Sequence, residues 1–197
     1  MDKRVFYEKK YGSFSSLPGF YQEREYCGRI IKWMKRKNFW PENKDSYLDA
    51  GCGFGLKTYV FSEYFKLSQG IDFSERVVDI CRLLNDRPEH LDFEVHDIES
   101  FSGQSYDFVT AFGLSHLNLE DPEPLSFRIK EIATRFLNRN GVLLMTTRKG
   151  PANTRDTGWY NHTGEQIIKL KKHLIKIFPG YSIYIGAPDE KLTYLFS

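Results

Sequence analysis

Cysteine is scarce in this sequence, with three residues, Cys27, Cys52 and Cys81, among 197. Three thiols cannot all pair with one another, and none stands in a C-x-x-C spacing. Neither a disulfide framework nor a zinc knuckle is expected, and a reducing cytoplasm suits the chain. An apolar run of membrane-spanning length is missing, and the opening segment MDKRVFYEKKYG is charged throughout. The protein is therefore expected to be neither exported nor inserted. An excess of one charge is missing as well: 28 Lys and Arg against 26 Asp and Glu leave a formal charge of +2. That balance gives no strong field for nucleic acid or anionic lipid. The main basic cluster, Lys32, Lys35, Arg36 and Lys37, reads as a solvated helix face, because no second basic stretch with interleaved aromatics accompanies it. The five histidines form no H-x-x-x-H pair and no cluster with carboxylates, so no dedicated metal site is expected.

What is present is a globular composition, 41% hydrophobic and 16% aromatic, on a chain long enough for one sizeable core and too short for two ordinary domains. No internal repeat or low-complexity tract divides it. The expected division is one domain over 1–197, with an N-terminal helical arm or lid at 1–45, a ligand-binding core at 46–148 and a substrate-side remainder at 149–197.

Periodicity supplies the elements. Tyr26, Ile30, Ile31, Trp33 and Met34 recur at helical spacing within 22–38, and Pro41 ends that helix. Ser46–Ala50 reads as a short strand running into glycines, followed by a helix over 56–64 and a strand ending at Asp72. Ser74 is the expected N-cap of a helix that stops before Pro88, and Leu91–Val95 alternates as a third strand. Tyr106–Phe112 is an apolar fourth strand. A helix opens near Pro122 and Pro124 and runs through Asn138, after which Asn140-Gly141 turns the chain into a strand starting at Val142. Thr163-x-x-Gln166 reads as a capping box opening a last helix to Phe178. Segments 181–185 and 192–196 suit an antiparallel hairpin at a sheet edge. Strands alternating with helices imply a doubly wound α/β fold, a mostly parallel sheet with helices on both faces. Ligands in such sheets bind beyond the carboxyl ends of the strands.

The chemical signal sits at the first of those ends. Leu48-Asp49-Ala50-Gly51-Cys52-Gly53-Phe54-Gly55 places three glycines at alternate positions between a strand and a helix. A glycine-rich loop feeding a helix N-terminus serves a dinucleotide or another nucleoside ligand equally well. The dinucleotide pattern G-x-G-x-x-G would put its third glycine at position 56, which is Leu56 here. An acid, Asp49, stands two residues before the first glycine, which favours a nucleoside carrying a cationic amino-acid tail. Asp72, at the end of the second strand, is placed to accept hydrogen bonds from both ribose hydroxyls.

Together these segments, D-x-G-x-G-x-G and then Gly70-Ile71-Asp72-Phe73-Ser74, resemble the class I S-adenosylmethionine-dependent methyltransferases over about 46–148. The resemblance implies a Rossmann-like, seven-stranded, mostly parallel sheet with a C-terminal antiparallel hairpin. It implies S-adenosyl-L-methionine as cofactor, S-adenosyl-L-homocysteine as product, and a cofactor site built from Asp49, Ala50, Gly51, Cys52, Gly53, Gly55, Asp72 and Phe73. His96-Asp97-Ile98 resembles the adenine-contacting motif, with Asp97 on the amino group and Ile98 against the ring. Phe112 and Gly113 would lie by the methionine portion, and His116 falls on the loop that carries a frequent histidine. Asn140 replaces the first glycine of the family's Leu-x-x-Gly-Gly turn; Asn tolerates left-handed geometry.

Each motif alone also has a purely structural reading: the glycines make a tight turn, Asp72 and Asp97 cap helices, and His116 is a hydrogen-bonded structural residue at least as readily as a general base. Tyr11 and Tyr21 in the arm, and Trp159, Tyr160 and His162 after the fifth strand, are the substrate-side candidates, set against ordinary packing. Phe112-Gly113-Leu114-Ser115 is not the Asn/Asp-Pro-Pro-aromatic motif that grips an exocyclic base amine, and no Pro-Cys pair suggests a cytosine nucleophile. A small-molecule acceptor (a metabolite, sugar or natural-product intermediate) is the favoured reading. A methyltransferase acting on RNA or protein, a non-catalytic S-adenosylmethionine-binding protein and a nicotinamide-dependent oxidoreductase are the alternatives.

Overall fold

Every residue of Ser46–Ala50 (β1) is buried, because the strand has neighbours on both edges and helices over both faces. In the computed structural model, which describes residues 13–149, 160–179, 182–186 and 192–196, β1 pairs in parallel with Leu67–Asp72 (β2) and with Tyr106–Phe112 (β4). Leu91–Val95 (β3) extends the sheet beyond β2 and Leu137–Lys149 (β5) extends it beyond β4. The five parallel strands thus run in the order β3-β2-β1-β4-β5, a Rossmann-like arrangement. The order reverses at β1, so a crevice opens between the loops that leave β1 and β4. Asn161–His162 (β6) pairs in parallel with β5. Leu192–Phe196 (β8) lies antiparallel to β5, and Ile183–Gly186 (β7) antiparallel to β8.

Helices Phe20–Arg36 (α1), Leu56–Ser62 (α2) and Glu75–Leu84 (α3) contribute to one core with Tyr47, Phe93 and Phe108. Its centre is aromatic: Phe108 stacks on Phe65 at 5.5 Å and on Tyr47 at 5.5 Å. Pro122–Phe136 (α4) and Gly164–Ile177 (α5) form the second core with Leu48, Ile71, Val109 and Leu143 on the opposite face. Successive strand residues point to opposite faces, which is why Tyr47 and Leu48 belong to different cores.

Several boundaries move for identifiable reasons. Helix α1 begins at Phe20, after Gly19 in the left-handed region, and stops at Arg36 just before Asn38 adopts φ 58°. Helix α2 ends at Ser62, two residues before the expected limit. Helix α4 ends at Phe136 rather than Asn138, and β5 starts at once with Leu137 opposite Tyr106. The register then jumps to Phe108 opposite Val142, and the extra residues form a bulge inside the strand. Asn140 takes φ 66° there, and a side chain on Gly141 would meet the Tyr106 carbonyl at 2.9 Å. Ser74 occupies the N-cap of α3 but its side chain makes no capping bond; the Asp72 carboxylate accepts from Ser74 N at 2.9 Å instead. The Thr163–Gln166 capping box forms as the spacing predicts, and Gln166 Nε2 also donates to the Glu120 carbonyl at 3.2 Å.

One buried carboxylate joins three strand starts. Asp107 Oδ2 accepts from Asp45 N at 3.0 Å and Ser46 N at 3.1 Å, and Oδ1 accepts from Asn138 Nδ2 at 2.9 Å. Truncation leaves those donors unsatisfied in the interior, so Asp107→Ala should lower unfolding stability by about 2–4 kcal/mol in a urea titration, with Asp107→Asn recovering part of the loss.

Candidate functional site

The loop from β1 to α2 is held at its base by the neighbouring strand: Gly51 N and Cys52 N both donate to the Ile71 carbonyl at 2.9 Å. Gly51, Gly53 and Gly55 all have positive φ, the region that L side chains avoid. Space separates the three. A Cβ on Gly51 would meet Leu114 Cδ1 at 2.8 Å, and one on Gly55 would meet Phe93, Cys81 and Phe14 atoms at 2.9–3.0 Å. A Cβ on Gly53 would meet nothing within 4 Å. The outer glycines let the loop pack down on the core, and the middle one faces open space. Gly53 is fixed from both sides, its N–H donating to Asp72 Oδ2 at 3.1 Å and its carbonyl accepting from Cys81 Sγ at 3.3 Å.

Asp49, at the base of the loop, is 2% exposed. Thr58 Oγ1 donates to one of its oxygens at 2.5 Å and Thr110 Oγ1 to the other at 2.7 Å. With its proton committed to Asp49, Thr110 Oγ1 accepts from Tyr47 OH at 2.8 Å. Burial pushes the Asp49 carboxyl above its ordinary pKa, and the two threonine bonds oppose that rise. Asp49 therefore contacts its own fold and reaches the crevice only through its charge.

Beyond the strand ends lies a cavity of about 250 Å³. Gly51, Asp72, Phe73, Asp97 and Ile98 line it, together with Leu114, Ser115 and His116. Five residues that the sequence marked for a cofactor thus come together. Asp72 stands between the glycine loop and α3, its two oxygens accepting from Gly53 N and Ser74 N. Phe73 presents its ring at 72% exposure. Asp97 Oδ1 accepts from Glu99 N at 2.9 Å, which shapes the turn after β3.

His116 lines the same cavity, with Nδ1 3.1 Å from Glu99 and Nε2 3.9 Å from Glu131. Both ring nitrogens face carboxylates from neighbouring elements. Of the other marked residues, Ala50 is buried in the sheet and Cys52 is nearly so. Phe112 stacks on Phe61 at 6.0 Å, with the Lys57 ammonium 5.9 Å from its ring centre, and Gly113 turns the chain at φ 67°. Tyr21 is exposed beside Phe20. Tyr160 N donates to Asn118 Oδ1 at 2.8 Å. His162 is buried and its Nε2 bonds the Leu119 carbonyl at 2.9 Å; burial lowers its pKa and that bond raises it. Tyr160 and His162 thus tie the chain after β5 to the loop after β4. Tyr11 and Trp159 lie outside the described residues.

Sequence reasoning missed Glu99 on the cavity wall, the Lys57–Glu23 pair at 3.1 Å joining α2 to α1, and the two threonines that hold Asp49. Thr110, a polar residue in the middle of an apolar strand, was the available signal for the last. Among the described residues no group of His, Cys, Asp and Glu could hold a metal ion, and no helix is long and apolar enough to cross a membrane.

The comparisons with known proteins fit this geometry. Residues 48–145 match the family model described as a methyltransferase domain. No curated protein sequence matches the chain. Among solved structures, a S-adenosylmethionine-dependent methyltransferase from Clostridium acetobutylicum superposes with TM-score 0.63 at 17% identity, over 98% of this chain and 96% of that one. The plantazolicin methyltransferase BpumL, solved with a monoazolic desmethylPZN analog and SAH, gives 0.67 at 16% identity, over 100% and 90%. The N-methyltransferase NodS from Bradyrhizobium japonicum, solved with S-adenosyl-L-homocysteine, gives 0.60 at 18% identity, over 89% and 85%.

Two outcomes follow from the loop. Gly55→Ala should melt well below Gly53→Ala, since both suffer left-handed strain of about 1–2 kcal/mol but only the former overlaps the core; equal melting temperatures would contradict the assignment of space. For Asp49, a raised folded pKa makes its contribution to stability complete at low pH and lost as pH climbs from the ordinary carboxylate range through the folded value. Relative to the parent, Asp49→Asn should lose melting temperature on acidification from about neutral toward about pH 4, because the parent gains stability as its carboxyl protonates and the amide cannot.

Proposed function

Through residues 48–145 the chain belongs to the S-adenosylmethionine-dependent methyltransferases, and from that premise we propose that it transfers a methyl group to a small-molecule acceptor, a metabolite, sugar or natural-product intermediate. The observation that carries the site is the convergence of Gly51, Asp72, Phe73, Asp97 and Ile98 on one cavity beyond the strand ends.

The residues present fit the cofactor. An ionised carboxylate offers about four acceptor directions, and Asp72 uses one on each oxygen, for Gly53 N and Ser74 N. The remaining two suit adjacent ribose hydroxyls. Phe73 and Ile98 offer apolar surface to a purine, and Asp97 stands in the same cavity to accept from its amino group. The space in front of Gly53 admits a ligand pressed against the backbone. Asp49, whose bonds are internal, favours a cationic ligand through its field alone.

Bound there, S-adenosyl-L-methionine would supply an electrophilic methyl group on a sulfonium, with S-adenosyl-L-homocysteine as the product. The protein's part is alignment and exclusion of water, for which a nucleophile meeting a sulfonium needs a dry, well-shaped surface more than a battery of polar groups. His116, on the cavity wall with Nδ1 3.1 Å from Glu99 and Nε2 3.9 Å from Glu131, is the candidate for a proton-transfer role, set against a structural one. Phe112 and Gly113 are assigned to the methionine end, and Tyr11, Tyr21, Trp159 and Tyr160 to the acceptor side. Within this reading residues 1–45 form the arm, 46–148 the cofactor core and 149–197 the acceptor side. β7 and β8 are the C-terminal hairpin of a seven-stranded sheet, and the protein works in the cytoplasm.

Support for a small acceptor comes from neighbours of the fold that are a magnesium protoporphyrin IX methyltransferase and a plantazolicin methyltransferase, and from the near-neutral net charge. Calorimetric titration tests the cofactor. Wild type should bind S-adenosyl-L-methionine and S-adenosyl-L-homocysteine and ignore NADH, and Asp72→Ala should weaken both by at least about 100-fold, the loss of two charge-assisted hydrogen bonds. Unchanged affinity in a folded Asp72→Ala variant would remove the assigned ribose site, and tight NADH binding would remove the family reading.

A further inference from the structure

The outward surface of α4 and α5 combines exposed apolar side chains with lysines. Ile168 and Ile175, seven residues and two turns apart on α5, are 59% and 53% exposed, and Phe127 on α4 is 55% exposed. None of the three is needed to bury its helix. Helix α5 packs inward through Ile167, Leu170 and Leu174, and α4 through Leu125, Ile129, Ile132 and Phe136. Both inner faces belong to one core on one side of the sheet, and the Gln166 to Glu120 bond holds the two N-termini together. Their outer faces therefore lie on the same side of the sheet, with Phe127 exposed on α4 and the isoleucine stripe on α5.

Lysines flank that stripe. On the helical wheel Lys171 and Lys172 lie on either side of the Ile168–Ile175 stripe, and Lys176 and Lys169 lie beyond Lys172. Lys130 lies one turn from Phe127. Lys169 pairs with Glu165 at 3.0 Å, whereas among the described residues Lys130, Lys171, Lys172 and Lys176 have no carboxylate partner. The net charge of +2 averages over this local excess, which is why composition gave no sign of it.

From this juxtaposition we infer that the α4–α5 face docks on an anionic lipid bilayer surface, with Ile168, Ile175 and Phe127 dipping into the acyl boundary and the lysines at the phosphates. A bilayer accepts both components at once: lysine stems lie along apolar surface while their ammonium groups stay at the headgroups. The local charge adds attraction that salt screens. A second copy of the chain would set lysines against lysines. Single-stranded nucleic acid would meet one aromatic ring where stacking platforms use several. No helix needs to span the membrane for this mode of attachment.

The test is sedimentation of the purified full chain with vesicles of phosphatidylcholine alone or mixed with phosphatidylglycerol. The protein should pellet only with the mixed vesicles and be released by salt. Lys171→Glu with Lys172→Glu, and separately Ile168→Ser with Ile175→Ser, should each weaken partitioning by at least about tenfold, while circular dichroism and S-adenosyl-L-homocysteine binding stay as in wild type. Wild type left in the supernatant, equal pelleting with neutral vesicles, double variants that pellet like wild type, or capture by a tRNA pool in place of vesicles would each overturn the inference.

Discussion

A single buried carboxylate holds the crevice open. Asp49 lies one residue from the end of β1, Thr58 lies in the first turn of α2 and Thr110 lies in β4, and the two threonine hydroxyls close on the two Asp49 oxygens. Removing a carboxylate from water carries a penalty of several kcal/mol unless its oxygens are bonded. The geometry that satisfies Asp49 is also the geometry that sets the start of α2 against the end of β4. Everything in the site is referred to that triangle. The loop between Asp49 and Thr58 has its path set by its two ends, and three left-handed glycines are what allow so few residues to make the turn.

The constraint extends outward through Gly53. Its N–H bonds Asp72 and its carbonyl bonds Cys81, so the end of β2 and the helix α3 are keyed to the loop as well. Asp72 thereby does two jobs with one side chain, ordering the loop and α3's first turn while leaving acceptor capacity toward the cavity. A site whose polar groups are already held by their neighbours loses less conformational freedom when a ligand arrives.

Local physics made most of this legible in the sequence. The glycine loop, the strands at 46–50 and 91–95 and the Thr163–Gln166 capping box depend on residues within a few positions of one another, and they stand where periodicity and capping chemistry put them. What escaped depends on partners far along the chain. Thr110 is 61 residues from Asp49, so nothing near Asp49 announced that its carboxylate turns inward. Ser74 looks like a cap until Asp72 takes its N–H. The early start of β5 at Leu137 follows from pairing with Tyr106, which overrides a helical pattern that runs on to Asn138. His116 was legible as a loop histidine, but Glu99 and Glu131, the two carboxylates it faces, come from separate elements.

The same long-range pairing links the cavity to the outer helices. The loop that carries His116 runs directly into α4, and its Leu119 carbonyl holds His162, just ahead of the Thr163 cap of α5. Asn118 on that loop also accepts from Tyr160 N. The cavity wall and the starts of both helices are thus joined by hydrogen bonds, with buried His162 at the joint.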